Sequence, residues 1–401
     1  MSEYQTQTLA ICMQLGLNGG NVFQGKLMDK SMPALLVGDP GVGKTEIVEH
    51  ISTKIAEAHG LTYPVETYAA PQLAPENLGG IPVPNRELRM AELLPLGAGK
   101  KLIEQGNGCL FLDEISSAPA AVGAACLTTI QSRRLGEATL PGPVALVAAM
   151  NPVEIAAAGR PLTAPESNRF CWIKWEMKPL EWADWLDGGS GAAKAVPILP
   201  ENWEADNWER ARYFVSSYIK SNPGALMGCP EPHDAAKPWQ SPRSWFNATR
   251  LAAASLSLGK DFMSGLCREL MSGVLGDKAA TDFLMFVKTQ DLPDPEEVLN
   301  NDDIVNSVDM TKELLPGRPD VLRVVLDSVV EVASVKTANY NDRALRCCKI
   351  AANVFEYKQD AAIAAISRCV RTFPREIYNQ VFDMQALAPI TKILVQASKN
   401  G

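Results

Sequence analysis

The segment Gly38-Asp39-Pro40-Gly41-Val42-Gly43-Lys44-Thr45 constrains this chain more than any other. It stands between a short apolar run, Ala34–Val37, and an amphipathic stretch, Lys44–Ala58. In that stretch Ile47, Ile51 and Ile55 recur on one helical face until Gly60 stops it. Gly-x4-Gly-Lys-Ser/Thr at a strand-to-helix turn is a phosphate cradle. Its glycines let successive backbone N–H groups wrap an anion, and the helix that follows points its positive end at the same charge. On this reading residues Gly38 to Glu46 hold a nucleotide. Lys44 reaches its β- and γ-phosphates and the Thr45 hydroxyl ligates Mg²⁺.

A strand feeding such a helix implies a parallel sheet covered by helices, and residues 34 to 177 supply the alternation. Val65–Tyr68, Cys109–Leu112, Val144–Met150 and Phe170–Glu176 read as further strands, and Ala118–Gln131 as a helix. Two insertions interrupt the scheme. Gly79–Leu96 is rich in Pro and Gly and long for a connection, and Arg134–Pro143 has the look of a hairpin. From Lys178 the pattern turns helical: Glu181–Asp187, Glu204–Ser221, Pro242–Leu258 and Asp261–Val287. The Pro- and acid-rich stretch Asp291–Asp303 reads as a linker, and 304–398 as more helices. The expected division is a nucleotide-binding α/β domain over 1–177, a helical lid over 178–290 and a helical extension over 291–401.

Other motifs supply chemistry. Cys109-Leu110-Phe111-Leu112-Asp113-Glu114 is a buried strand ending in two carboxylates. There Asp113 suits Mg²⁺ and Glu114 suits polarising an attacking water. Asn151, in Ala148-Ala149-Met150-Asn151-Pro152, falls at the carboxyl end of a strand, where parallel sheets bind ligands. Arg169, in Pro165-Glu166-Ser167-Asn168-Arg169-Phe170, is suited to charge on a transferring phosphoryl group; should it not act on a neighbour, Arg160 is the next candidate for an independent structural or catalytic role. Arg243, in Ser241-Pro242-Arg243, opens a helix of the lid.

Taken in order, these motifs resemble the MoxR/dynein-related (AAA_5-like) branch of the AAA+ ATPases over about residues 30 to 260. Gln72-Leu73-Ala74-Pro75-Glu76-Asn77-Leu78-Gly79-Gly80 is similar to the family's entry into its helix-2 insert. The resemblance implies a P-loop α/β three-layer sandwich with a helical lid, ATP and Mg²⁺ as cofactors, and a homo-oligomeric, hexameric ring that remodels or activates a protein client. Clients in the family often carry a von Willebrand A domain. It also implies Asn151 as sensor 1, Arg169 as an arginine finger acting on the neighbouring subunit and Arg243 as sensor 2. Asn168 stands where the family usually has an acid. Residues 291–401 have no counterpart in it.

Composition weighs on the alternatives. The chain has 401 residues with a formal net charge of -8, an acidic balance that counts against a nucleic-acid motor. A nucleotide-gated scaffold with little turnover is the third reading, and Glu114 and Asn151 argue against it. Nine scattered cysteines and three histidines form no zinc pattern and suit a reducing cytoplasm. No leader-like segment opens the chain, and no apolar run is long enough for a membrane span. All eight tryptophans lie between Trp172 and Trp245. Trp172, Trp175, Trp182 and Trp185 are expected to pack the sheet edge, and Trp203, Trp208 and Trp239 to pack in the core or form a partner surface. Arg133-Arg134 reads as a solvated helix end.

Overall fold

The computed structural model describes residues 4–17, 22–23, 26–27, 30–85, 87, 90–152, 155, 161–189, 196–201, 203–231, 235–289, 293–317 and 319–382. They form two compact units, one of residues 1–211 and 217–287, the other of 212–216 and 288–401.

The first unit begins with α1 (Gln5–Gln14) and a ribbon of β1 (Val22–Phe23) and β2 (Lys26–Leu27). Then come β3 (Ala34–Val37), α2 (Lys44–His59), β4 (Val65–Ala69), α3 (Glu76–Gly79), β5 (Ile81–Asn85), β6 (Met90–Leu94), α4 (Gly97–Gln105) and β7 (Gly108–Asp113). They are followed by α5 (Ala120–Ser132), β8 (Arg134–Leu135), β9 (Ala138–Thr139), β10 (Val144–Met150), α6 (Ala164–Ser167) and β11 (Cys171–Lys174). The remaining helices are α7 (Pro179–Leu186), α8 (Trp203–Ser221), α9 (Pro242–Ser257), α10 (Gly265–Leu275) and α11 (Asp277–Thr289).

Five strands pair in the order β11-β3-β10-β7-β4, all in parallel. Every residue of β10 is buried, as a central strand covered on both faces requires. Because parallel strands end at the same edge, the turns after β3, β7, β10 and β11 gather there.

Four features of this unit were not legible beforehand. First, nine of the ten residues of α1 are buried, polar ones included. Gln5 donates to Glu176 O at 2.7 Å and accepts from Glu176 N at 3.2 Å, while Gln14 donates to Pro197 O at 2.7 Å. The amides thus behave as extra peptide groups and satisfy backbone that would otherwise be buried unpaired. Second, the two insertions are joined. Gly136 N donates to Leu78 O and Glu137 N to Leu93 O, both at 2.9 Å, so β8–β9 is clipped to the β5–β6 hairpin. A Cβ on Gly80 would stand 2.8 Å from the Gly136 Cα, so the approach needs glycine. Third, Asp261–Val287 is two helices rather than one. The break falls at Gly276, whose φ of 82° favours glycine. Fourth, Arg133 is buried rather than solvated. It caps α5 with φ 54° and donates to Ser31 Oγ and to the carbonyls of Pro141, Gly142 and Val144.

The tryptophans sort as expected except for Trp182 and Trp185. Trp203 and Trp208 are buried, and the Arg250 guanidinium lies 6.0 Å from the Trp203 ring centroid. Trp175 is buried and Trp172 half-buried, but Trp182 and Trp185 are exposed.

In the second unit the stretch expected as a linker contains α12 (Pro295–Asn300) and α13 (Asp302–Asn306). Asp294 caps the first with Pro295 in its first turn, and Asn301 caps the second. The residues that suggested a loop are helix-start residues. The unit continues through α14 (Val308–Leu314), α15 (Pro319–Ser334), α16 (Tyr340–Tyr357), α17 (Gln359–Thr372) and α18 (Arg375–Tyr378). Residues 383–401, expected helical to 398, lie outside the described residues. Leu322, Val325, Leu326 and Val329 of α15 join Cys348, Ala351 and Ile366 in one core. Arg343 grips Glu296 through two hydrogen bonds of 2.9 and 2.6 Å, and this depresses the Glu296 carboxyl below the usual range.

Because the buried Arg133 supports three carbonyls, that of Val144 fully buried, Arg133→Ala is expected to lower stability by about 2–4 kcal/mol, read as a shifted urea midpoint. A midpoint unchanged from the parent would show that the carbonyls find other partners.

Candidate active site

β3 leads directly into the phosphate cradle. Its last backbone group hands over to Gly38, whose N–H donates to Met150 O at 3.3 Å. The chain after β11 crosses so close that a Cβ on Gly38 would meet Trp175 O at 2.2 Å. Only glycine fits. The Trp175 indole then donates to Val42 O at 3.0 Å, fastening the loop from the other side. Gly41 and Gly43 have φ of 79° and 77°, the left-handed values that turn a loop's N–H groups inward. Thr45 and Glu46 then open α2.

The Lys44 ammonium spans the loop. It donates to Gly38 O at 2.7 Å, to Asp39 O at 2.9 Å and to Asn151 Oδ1 at 2.8 Å, which uses all three of its protons. Asn151 follows β10, the neighbour of β3, so register alone brings it there. Burial lowers the Lys44 pKa, and the charges of Asp113, Asp39 and Glu114 oppose that shift. Asp113 closes β7, one strand further out. Its Oδ1 accepts from Glu114 N at 2.9 Å. Glu114 adopts φ 55° and ψ 40°. Left-handed backbone costs a side chain about 1–2 kcal/mol, and such strain concentrates at functional sites.

These residues line one cleft of about 600 Å³ in the first unit. Residues Pro40 to Ile47 form its floor, and Asp113, Glu114 and Asn151 stand on one side. Trp175, Met177, Glu181, Trp182 and Trp185 stand on the other. The cradle and the paired carboxylates can hold a nucleotide with a divalent cation: the glycine turn supplies donors for anionic oxygen, and Thr45 with Asp113 supplies hard oxygen ligands.

Arg169 and Arg243 do not line this cleft. Instead they lie near one another. Arg169 has its pKa lowered by burial first and then by the charge of Arg243, with Glu166 opposing. Its guanidinium is held by Pro165 O and by Gln131 Oε1 at 2.5 Å. Asn168 explains the pairing. Its amide donates to Trp239 O at 2.9 Å and its Oδ1 accepts from Ser241 Oγ at 2.8 Å. A carboxylate there accepts but cannot donate. Ser241 also caps α9 reciprocally with Ser244, and the Trp239 indole donates to Ala164 O at 2.9 Å. The segment carrying Arg169 is thus sewn to the helix start carrying Arg243. Sequence reasoning missed Gln131, Trp239 and Trp175 as supporting residues, because each acts across more than thirty positions of chain. Arg160 lies outside the described residues.

The backbone of Glu114 generates a test. Glu114→Gly removes the left-handed penalty and is expected to raise stability by about 1 kcal/mol in urea unfolding. A lower midpoint would mean that the Glu114 side chain contributes more to stability than its backbone costs.

Residues 33–170 match the family AAA domain (dynein-related subfamily). Among curated proteins none matches the chain at a significant level. Among solved structures, a candidate ATPase from Cytophaga hutchinsonii is 17% identical, with 71% of this chain and 88% of that one covered and a TM-score of 0.44. A RuvB variant from Thermotoga maritima is 13% identical over 77% and 83%, with a TM-score of 0.26. NtrX from Brucella abortus is 15% identical over 84% and 64%, with a TM-score of 0.25. The family match spans the phosphate cradle, the strand ending in Asp113 and Glu114, Asn151 and the Arg169 segment. Residues 33–170 are therefore an AAA domain of the dynein-related subfamily, set in a P-loop α/β fold that further helices follow.

Proposed function

We propose that the protein is a ring-forming ATPase that couples ATP hydrolysis to the remodelling or activation of a protein partner. One observation carries this reading. Lys44 bridges the phosphate cradle to Asn151 while Asp113 and Glu114 face the same cleft. In use, the cradle binds the triphosphate and Lys44 exchanges carbonyl partners for β- and γ-phosphate oxygens. Mg²⁺, held by Thr45 and Asp113, would supply neutralising charge on those phosphates. Glu114 accepts the proton of the attacking water, and Asn151 orients that water.

Arg169 stays outside the cleft of its own subunit, which suits a finger serving a neighbour's γ-phosphate, while Arg243 would reach the nucleotide as sensor 2 when the lid moves. An arginine there is always charged and presents a planar fork to phosphate oxygens. A hexamer follows from family likeness. Residues 1–177 would then act as the α/β domain, 178–290 as a lid that moves with the nucleotide state, and 291–401 as an extension outside this machinery. The β5–β6 hairpin would meet the client, a von Willebrand A domain protein by family likeness. Ile81, Val83, Met90, Leu93 and Leu94 are each 39% exposed or more there, an apolar surface on a loop-borne element. No described helix is long and apolar enough to cross a membrane. The free cysteines, all but Cys229 buried, suit a cytoplasmic protein.

Glu114→Gln is expected to keep ATP bound and to lose about 10²–10⁴-fold in turnover. Turnover within a few-fold of the parent would move the base elsewhere. Arg169→Ala should bind ATP normally and lose turnover by about 10³-fold or more. Mixed with Glu114→Gln subunits it should regain activity, since some interfaces then join an intact Glu114 to an intact Arg169. A verified mixed ring with no recovery would refute action across the interface. Shortening the β5–β6 hairpin should spare basal ATPase and abolish its stimulation by client. Undiminished stimulation would remove the hairpin from the client surface.

A further inference from the structure

The proposed chemistry uses the cradle and the acidic side of the cleft and leaves the opposite wall without a role. That wall carries the two most exposed tryptophans of the first unit. Trp182 is 50% and Trp185 59% exposed, and both line the cleft with Glu181. On α7, residues 181 and 185 are one turn apart and 182 adjoins them, so they share a face. Leu180 and Leu186 are also exposed but do not line the cleft. None of the α7 residues is buried. The helix therefore takes little from the core, and its large aromatic surface needs another explanation.

Sheet order indicates which end of a nucleotide meets that wall. β3 carries the cradle from the middle of the β11-β3-β10 trio. Asn151 follows β10 and the Asp113-Glu114 pair follows β7, on one side of the cradle. Trp175, Met177 and α7 follow β11, on the other. The terminal phosphate must face the acidic side, where the water and the cation act. The chain of atoms from phosphate to sugar to base then runs the opposite way. It passes Met177, whose methyl stands 3.6 Å from the Cβ position of Gly43, and His50 on α2. His50 has its pKa lowered by burial and by Lys54, with Glu57 opposing, so at neutral pH it offers a flat uncharged ring rather than a cation.

We infer that Trp182 and Trp185 hold the base of the bound nucleotide by stacking, which makes α7 the nucleoside-recognition element of this ATPase. The inference rests on the nucleotide reading of the cleft. Stacking is tolerant of base identity, because every base has a π-face. The wall therefore grips the nucleoside and adds affinity that the phosphate cradle alone lacks.

The test compares ATP with inorganic tripolyphosphate, both with Mg²⁺, by titration calorimetry. The proteins are the parent, Lys44→Ala, Trp182→Ala/Trp185→Ala and Trp182→Phe/Trp185→Phe. The double alanine variant is expected to bind ATP about 10–100-fold more weakly, the range that loss of a stacked base produces. Its tripolyphosphate affinity should be unchanged. The double phenylalanine variant, which keeps a π-face at each position, should bind ATP within a few-fold of the parent. The alanine side chains replace exposed rings, so circular dichroism should show an unaltered fold. Parent-like ATP binding by the double alanine variant would overturn the inference while leaving the nucleotide reading intact. Equal losses for ATP and tripolyphosphate would also overturn it, because the rings would then be supporting the cradle. ATP binding absent from the parent, or undiminished in Lys44→Ala, would overturn the nucleotide reading itself and this inference with it.

Discussion

The site depends on one constraint: β3 lies inside a sheet whose strands all run the same way. Parallel strands finish at a common edge, so the turns after β3, β7, β10 and β11 converge although they are far apart in the chain. The cradle after β3 then meets Asn151 from one neighbour and Trp175 from the other. Removing the side chain from residue 38 is the condition for this convergence, since the Trp175 carbonyl occupies the place of a Cβ.

Polarity at that edge is organised around Lys44. An ammonium has three protons, and all are committed to oxygen atoms of the loop and of Asn151. These contacts brace the loop and fasten it to the end of β10. The same economy appears in the Arg169 segment. Gln131 holds Arg169, and Asn168, Ser241 and Trp239 tie its segment to the helix start that carries Arg243. Burial first, and then the charge of Arg243, lowers the Arg169 pKa, with Glu166 opposing.

The two inserts share this logic at the level of backbone. Hydrogen bonds from Gly136 to Leu78 of α3 and from Glu137 to Leu93 of β6 join the short β8–β9 ribbon to the longer β5–β6 hairpin and the helix before it. An isolated two-stranded hairpin is marginal in water, so the clip is what lets an apolar hairpin project from the surface. Loops of this kind can change composition without disturbing the sheet.

Much of this was legible in the sequence. The run from Gly38 to Thr45, the apolar strand ending at Asp113 and the Asn151-Pro152 turn are local patterns, and local patterns specify what one strand or turn can do. The same holds for the alternation of strands and helices over 34–177. The sequence by itself determined an α/β fold with a phosphate cradle and a pair of carboxylates in reach of it. Only the tertiary structure decided that Arg133 is buried, that Trp182 and Trp185 line the cleft while Trp203 and Trp208 enter the core, and that Arg169 and Arg243 are neighbours. It also decided that 295–306 is helical rather than a linker. Each of those outcomes turns on which distant atoms meet a given side chain. An arginine or tryptophan carries both an apolar body and a polar tip, and its surroundings alone determine which of the two is used.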